Sequence, residues 1–180
     1  MAIFPPAKAV WWNEPVEKSE ILWVVIALLW SLFMFFMMPY WHITGKQNLS
    51  NEAYRISADA FAEKTEAMAD KYTVGEVGDT GVPIVAPPVG TDVYLYGRRW
   101  EWWPALKFKK GETYRLHLSS LDWLHGFSLQ PVNINLQVQP GYEMVVNITP
   151  TTSGEFSILC NEYCGIGHHT MVGKIYVTDK

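Results

Sequence analysis

The stretch GYEMVVNITPTTSGEFSIL (residues 141–159) decides the fold of most of the chain. It contains two short runs rich in Val, Ile and Phe, residues 143–148 and 155–159, with the turn-forming Pro150 and Gly154 between them. Short β-branched and aromatic runs bounded by Pro and Gly are typical of β-strands that turns connect. The stretch therefore predicts β structure.

The same pattern continues on both sides of this stretch. Further short runs of this kind lie at residues 93–95, 113–118 and 174–178, and Gly and Pro residues separate them. Five such runs within one small region are typical of an antiparallel sandwich or barrel. We therefore predict an all-β domain over residues 91–180.

A long apolar segment, ILWVVIALLWSLFMFFMMPYW (residues 21–41), precedes this region, and no Asp, Glu, Lys or Arg occurs between Glu20 and Lys46. As a helix the segment would extend about 31 Å, close to the roughly 30 Å hydrocarbon core of a bilayer. It is longer than the apolar part of a signal peptide, and acidic rather than basic residues precede it. The Lys and Arg counts on its two sides are nearly equal and leave its orientation open. We predict one membrane span within an N-terminal segment over residues 1–45, with Trp11, Trp12, Tyr40 and Trp41 near the two membrane surfaces.

Residues 46–90 connect the span to the β domain. Residues 48–71 are rich in Ala and Glu, and the spacing of their apolar residues predicts a helix with its cap at Ser50 or Asn51. We interpret this helix as a solvated spacer that holds the β domain away from the membrane. Residues 74–90 (VGEVGDTGVPIVAPPVG) are rich in Gly and Pro, which predicts a linker and a domain boundary there.

The composition excludes several classes of protein. Of the 180 residues, 49% are hydrophobic, 14% aromatic and 18% charged, so the chain is too apolar to be disordered. Its net charge of -4 argues against nucleic-acid binding, which needs a concentrated basic patch. With two cysteines, Cys160 and Cys164, the chain has no disulfide framework.

The stretch CNEYCGIGHHTM (residues 160–171) carries the chemistry, in a loop between two predicted strands. Its pattern is C-x-x-x-C-x-x-x-H-x-x-M, and another histidine lies upstream in DWLHGF (residues 122–127). Thiolates, imidazoles and a thioether select copper over hard cations, whereas zinc gains nothing from a methionine. A blue-copper site uses one thiolate, whereas two thiolates on one short loop can bridge two copper ions and leave one histidine for each ion. The proposed donors are His125, Cys160, Cys164 and His168, with Met171 as a weak ligand.

The motif, together with DWLHGF and VNINLQVQPGY (residues 132–142), resembles the binuclear copper-A domain of subunit II of haem-copper oxidases. The resemblance covers about residues 91–180. It implies a cupredoxin-like β-sandwich on the outer face of the membrane and ligation by the five residues just named. It also implies that the backbone carbonyl of Glu162 is a further copper ligand, and that the Glu162 carboxylate reaches a magnesium site shared with subunit I.

Two features depart from the commonest pattern of that family. Many of its members carry two membrane helices, whereas the single span here resembles the short subunit II of the b-type oxidases. In that family, electrons enter through an aromatic stretch. The corresponding stretch of this chain is GRRWEWWP (residues 97–104), in which Trp100 or Trp102 is the matching tryptophan. The alternative for these tryptophans is ordinary packing.

The resemblance implies a role in electron transfer. The chain would accept electrons from a cytochrome c or a small copper protein and pass them to haem in subunit I of a terminal oxidase. Reduction of oxygen to water, coupled to proton translocation, would belong to the complex. The single membrane span and the lack of a cleavable leader favour a prokaryotic plasma membrane as the location. Because Arg98 and Arg99 interrupt the candidate docking area, we expect docking to be weakly electrostatic and partly apolar.

The sequence leaves other functions open, and it contains histidines outside the proposed ligand set. The same module could serve a copper-A nitric oxide reductase, or the two cysteines could belong to a membrane-tethered copper chaperone or a disulfide-containing β domain. Among these histidines, His117 lies in the middle of a predicted strand and is expected to be half-buried with its hydrogen bonds satisfied. His169 neighbours a ligand without being one, and His42 is expected at the membrane surface.

Overall fold

A computed structural model of the chain describes residues 15–44, 52–132 and 134–179. The structure divides into two compact units, with the division between residues 47 and 48. The first described unit is helical, and the second is built mainly of β-strands. The predicted interfacial residues Trp11 and Trp12 lie outside the described residues.

Helix α1 (Lys18–Thr44) contains the predicted span and extends it by three residues at each end. None of its side chains is buried within the unit, and its apolar residues face all directions. Near its end, the Thr44 hydroxyl donates a hydrogen bond to the carbonyl of Tyr40, one residue after Pro39. Among the described residues, α1 is the helix that is long and apolar enough to cross a bilayer.

The second unit is a β-sandwich of two sheets with one helix against it. Four of the five runs predicted as strands lie within strands of the sandwich, and the run at residues 113–118 begins one residue before its strand. Seven further strands among the described residues were not predicted. Its elements are β1 (Glu52–Arg55), α2 (Ala58–Tyr72), β2 (Thr73–Glu76), β3 (Pro83–Val85), β4 (Asp92–Arg98), β5 (Glu101–Trp103), β6 (Ala105–Lys109), β7 (Tyr114–Ser120), β8 (His125–Gln130), β9 (Ile134–Val138), β10 (Tyr142–Ile148), β11 (Gly154–Cys160) and β12 (Val172–Thr178).

Two sheets form the sandwich. One has the order β1-β10-β7-β4-β5, and the other has the order β2-β3-β6-β12-β11-β8-β9. The prediction of an antiparallel arrangement was wrong in part, because β4 pairs with β7, and β6 with both β3 and β12, in parallel. The apolar core lies between the sheets and includes Leu95, Leu106, Leu116, Phe127 and Ile158, all fully buried.

The predicted spacer helix is part of the sandwich. Helix α2 begins at Ala58, where the Ser57 hydroxyl accepts a hydrogen bond from the Ala60 amide, so the predicted start near Ser50 or Asn51 was wrong. The spacing of its buried residues follows one helical face, and this face packs on the sheet rather than facing solvent. The buried residues are Phe61, Thr65, Met68 and Ala69.

The predicted linker and domain boundary were also wrong. The segment before the helix forms β1 and pairs with β10, and the Gly- and Pro-rich segment after it contains β2 and β3 at one edge of the larger sheet. An edge position tolerates Pro and Gly because few of its backbone groups have to pair. The β unit therefore includes the described residues from Glu52 onward.

Candidate metal centre

Two neighbouring strands bring the distant histidine to the motif. His125 is the first residue of β8, and Cys160 is the last residue of β11. The two strands are antiparallel, with Phe127 opposite Cys160, so the start of β8 lies beside the end of β11. The loop between β11 and β12 then carries the other candidate ligands back over the same end of the sandwich.

The sulfur and nitrogen atoms form two matched pairs. The Sγ atoms of Cys160 and Cys164 lie 3.7 Å apart, well beyond the roughly 2.05 Å of a disulfide bond. His125 Nδ1 lies 3.9 Å from Cys160 Sγ, and His168 Nδ1 lies 3.7 Å from Cys164 Sγ. Each imidazole therefore faces a different thiol. The Sδ atom of Met171 lies 3.8 Å from Cys164 Sγ.

The site is shielded from water. His125 is 0% exposed, Met171 is 1% exposed and Cys164 is 3% exposed, while His168 is half-buried. The backbone carbonyl of Glu162 also points at the site, 3.2 Å from Cys160 Sγ. Burial, and then the hydrogen bond and charge of Cys160, raise the pKa of Cys164 to about 11. A cation bound here would therefore have to displace the thiol proton.

Asp122 orients the buried histidine. Its Oδ1 lies 2.9 Å from His125 Nε2, which leaves Nδ1 free to face the thiols. Its Oδ2 accepts hydrogen bonds from the Arg99 amide and side chain. Burial raises the pKa of Asp122, but the bonds to His125 and Arg99 outweigh it and hold that pKa below its ordinary value. Sequence reasoning assigned Asp122 no role, although its D-x-x-H spacing in a turn was a usable signal.

The two candidate tryptophans lie in different environments. Trp102 is 2% exposed and packs edge-on to His125, with ring centroids 6.0 Å apart. Trp100 is 39% exposed, and its indole N–H donates a hydrogen bond of 3.2 Å to the carbonyl of Cys164. A Cβ atom at Gly167 would lie 2.3 Å from the Trp100 ring, so only glycine allows this close packing on the ligand loop.

The other three histidines have different surroundings. His169 is exposed on the loop, and His42 is exposed in the last turn of α1. His117 is 4% exposed, more buried than predicted. Its Nδ1 contacts the Glu143 carboxylate, but its Nε2, 3.2 Å from Asp92, makes no hydrogen bond, so the prediction of satisfied hydrogen bonds was wrong for this atom.

The donor set fits copper. Two thiols, two imidazole nitrogens and a thioether are soft or borderline ligands, and a backbone carbonyl completes the set. Of these, His125, Cys160 and Cys164 bring their ligand atoms within 4.8 Å of one another. A hard cation such as calcium would instead need several oxygen ligands.

The chain is similar to curated proteins named cytochrome c oxidase subunit 2. It is 38% identical to that of Thermus thermophilus over 74 residues, which are 41% of this chain and 55% of the relative. It is 30% identical to a probable cytochrome c oxidase subunit 2 of Streptomyces coelicolor over 161 residues, which are 89% of this chain and 46% of the relative. The match to the Streptomyces avermitilis protein has the same coverage at 35% identity. The chain thus spans about half the length of these relatives.

A solved structure shares the fold. A chain from the cryo-EM structure of a heme-copper terminal oxidase dimer aligns with a TM-score of 0.54 and 22% identity, covering 89% of this chain and 100% of that one. No family model matches the chain.

Proposed function

Because this chain is homologous to cytochrome c oxidase subunit 2 over 161 residues, we propose that it is the copper-carrying electron-transfer subunit of a haem-copper terminal oxidase. The observation that carries the proposal is the pair of thiols 3.7 Å apart, each with its own imidazole nitrogen beside it. A single-copper electron-transfer site uses one thiolate. A second thiolate with a second imidazole therefore supports a binuclear centre.

In this proposal, the thiols of Cys160 and Cys164 and the imidazoles of His125 and His168 would hold a pair of copper ions. The thioether of Met171 and the backbone carbonyl of Glu162 complete the ligand set. Bound there, the pair of ions supplies reversible one-electron transfer. The chain contributes a dry and preorganised site, because its ligands are packed in the sandwich and Asp122 fixes the ring of His125.

Trp100 is the tryptophan through which we expect electrons to enter. A soluble donor cannot touch Trp102, which is 2% exposed, whereas Trp100 is 39% exposed. The indole of Trp100 is also hydrogen-bonded to the backbone of Cys164, a proposed bridging ligand. Trp100 therefore offers a short covalent and hydrogen-bonded connection between the protein surface and the copper centre.

The surface around Trp100 suits a donor with an apolar contact area. Tyr163 and Ile166, on the ligand loop, are 76% and 87% exposed. The nearby Arg98 pairs with Glu101, and Arg99 pairs with Asp122, so neither arginine offers an unpaired charge. We propose that a cytochrome c or a small copper protein docks here through apolar contacts, with little dependence of the association rate on salt.

The remaining assignments concern the complex. We propose that the electron passes to haem in subunit I, and that the complex reduces oxygen to water and translocates protons. Helix α1 would anchor the chain in a prokaryotic plasma membrane, with the copper domain on the outer face. The Glu162 carboxylate accepts a hydrogen bond from Gln137 at one oxygen, and its other oxygen would reach a magnesium ion shared with subunit I.

Replacement of Trp100 tests the electron path. With the copper-loaded chain, we expect Trp100→Phe to slow reduction by a cytochrome c donor about tenfold, equivalent to about 1.4 kcal/mol of barrier, because the indole N–H is lost. Stopped-flow absorbance measures this rate. Trp103→Phe is the matched control, because Trp103 stacks on Tyr96 instead of contacting the ligand loop. An unchanged rate in Trp100→Phe, at full copper content, would exclude Trp100 as the path.

A further inference from the structure

Two amide side chains on β9 reach across a neighbouring strand to the ligand loop. Asn135 and Gln137 are exposed and two residues apart, so they project from the same face of this strand. The Asn161 side-chain amide donates a hydrogen bond of 2.8 Å to Asn135 Oδ1. The Gln137 side-chain amide donates one of 2.8 Å to Glu162 Oε1. We call Asn135 and Gln137 the amide clamp.

A glycine in the intervening strand makes these bonds possible. Strand β8 lies between β9 and β11, and Gly126 of β8 pairs with Gln137. A Cβ atom at Gly126 would lie 1.9 Å from Asn161 Oδ1 and 2.8 Å from the Glu162 amide nitrogen. The backbone N–H of Asn161 also donates a hydrogen bond of 3.1 Å to the backbone carbonyl of Gly126. The loop therefore lies directly on the backbone of β8, within reach of β9.

Asn161 and Glu162, the residues that the amide clamp contacts, immediately follow Cys160. The carbonyl of Glu162 lies 3.2 Å from Cys160 Sγ, on the side of the residue that faces the thiols. The carboxylate and the carbonyl of Glu162 have different partners, Gln137 and Cys160. A carboxylate fixed at Gln137 thus limits the directions in which the carbonyl can point.

We propose that Asn135 and Gln137 are positioning residues of the copper centre, which hold Asn161 and Glu162 so that the Glu162 carbonyl stays aimed at the metal. This inference rests on the proposed function, since it assigns the carbonyl as a ligand. The clamp has a polarity: position 135 has to accept a hydrogen bond from Asn161, whereas position 137 has to donate one to a carboxylate.

Isosteric substitutions test that polarity. Asn135→Asp keeps the accepting oxygen and should preserve the centre. Gln137→Glu replaces the donor by a carboxylate that faces the Glu162 carboxylate, which should release the loop. Gln139→Glu is the matched control, because it makes the same change of charge two residues further along the same exposed stretch.

The full-length chain in detergent is reconstituted with copper, and copper affinity, electron paramagnetic resonance and reduction potential are measured. We expect Gln137→Glu to lower copper affinity about 10- to 100-fold and to change the hyperfine pattern. Asn135→Asp and Gln139→Glu should stay close to the unmodified protein. If Gln137→Glu matches Gln139→Glu in all three measurements, the clamp proposal is overturned while the copper centre stands.

Hydrogen exchange in the copper-free protein separates the two proposals. The clamp predicts that Gln137→Glu accelerates amide exchange in the segment from Cys160 to Cys164, and that Gln139→Glu does not. If the unmodified protein fails to bind two copper ions but Gln137→Glu still accelerates exchange in this segment, the failure falls on the proposed function. Exchange that is the same in both variants contradicts the clamp, whatever the copper content.

Discussion

Two buried histidines in the β-sandwich each lie beside an aspartate but have different groups next to their ring nitrogens. His117, in β7, is 4% exposed, and His125, at the start of β8, is 0% exposed. In both, Nε2 lies close to an aspartate oxygen: Asp92 at 3.2 Å for His117 and Asp122 at 2.9 Å for His125. The His125–Asp122 contact is a hydrogen bond, whereas His117 Nε2 makes none to Asp92, and the groups opposite Nδ1 also differ. Burial and an aspartate partner are therefore not enough to identify a metal ligand.

The group opposite Nδ1 distinguishes the two sites. His117 Nδ1 contacts the carboxylate of Glu143, which is also 3.9 Å from the Lys64 ammonium group. These contacts of His117, Glu143 and Lys64 connect β7, β10 and helix α2, so this site stabilises the fold. His125 Nδ1 instead faces the thiol of Cys160. Imidazole and sulfur are ligands that copper prefers, whereas an imidazole between two carboxylates is a structural arrangement.

The largest effect that this comparison predicts comes from removing one sulfur. Cys164→Ser should abolish the binuclear centre, because one oxygen cannot replace a bridging thiolate, and leave the His117 site untouched. Copper analysis should show fewer than two ions per chain, and the optical spectrum of the copper-loaded chain should change completely. An unchanged spectrum in Cys164→Ser would refute bridging by this thiol.

Substitution of each histidine should give opposite results. His117→Leu leaves Glu143 buried without its histidine partner, so we expect the free energy of unfolding of the copper-free protein to fall by about 3 kcal/mol. Two copper ions should still bind. His125→Leu should prevent binding of the pair while lowering the free energy of unfolding less.

Chemical denaturation of the copper-free proteins, together with copper analysis, measures both quantities. The comparison fails if His117→Leu loses copper at a temperature where it remains folded. It also fails if His125→Leu retains two copper ions per chain.

The smallest predicted effect concerns acid stability at the His117 site. Burial raises the pKa of Asp92, but the charge of His117 and the hydrogen bond from Arg115 lower it more, so the net pKa is below its ordinary value. A lowered pKa in the folded state stabilises the protein above the unfolded pKa of about 4, and this stability is lost as the pH falls through the folded pKa.

Asp92→Asn should therefore flatten the acid limb of the stability curve of the copper-free protein below about pH 4. Because the Asp92 side chain is nearly half exposed, solvent screening limits the expected change to about 1 kcal/mol or less. Urea denaturation at several pH values measures it. An acid limb as steep in Asp92→Asn as in the unmodified protein would assign the pH dependence to other groups.

From the sequence, the candidate ligands on the loop could be identified, but the residues that hold the loop in place could not. The ligand candidates lie in one short motif apart from His125, so their residue types and spacing indicate soft-metal binding directly. The contacts of Asn135 and Gln137 with the loop depend on the pairing of β9 with β8 and on the missing side chain at Gly126. Such contacts are set by the register of distant strands, which local patterns do not define.

The fold shows the same division. The strands with strong β-branched runs were predicted, but the edge strands β1 and β2 and the neighbouring β3 were not. Their sequences have weak local preference, and they are ordered by pairing with neighbours. The burial of helix α2 was readable from the spacing of Phe61, Thr65 and Met68, which lie on one helical face. The helix was nevertheless interpreted as a spacer, because a helical pattern alone does not identify the surface it covers.

Copper content combined with electron paramagnetic resonance on the copper-reconstituted full-length chain tests the central claim most directly. The account predicts two copper ions per chain and a hyperfine pattern in which one unpaired electron is shared equally by both nuclei. One copper ion per chain with the pattern of a single nucleus would contradict it, and so would no bound copper with both thiols oxidised.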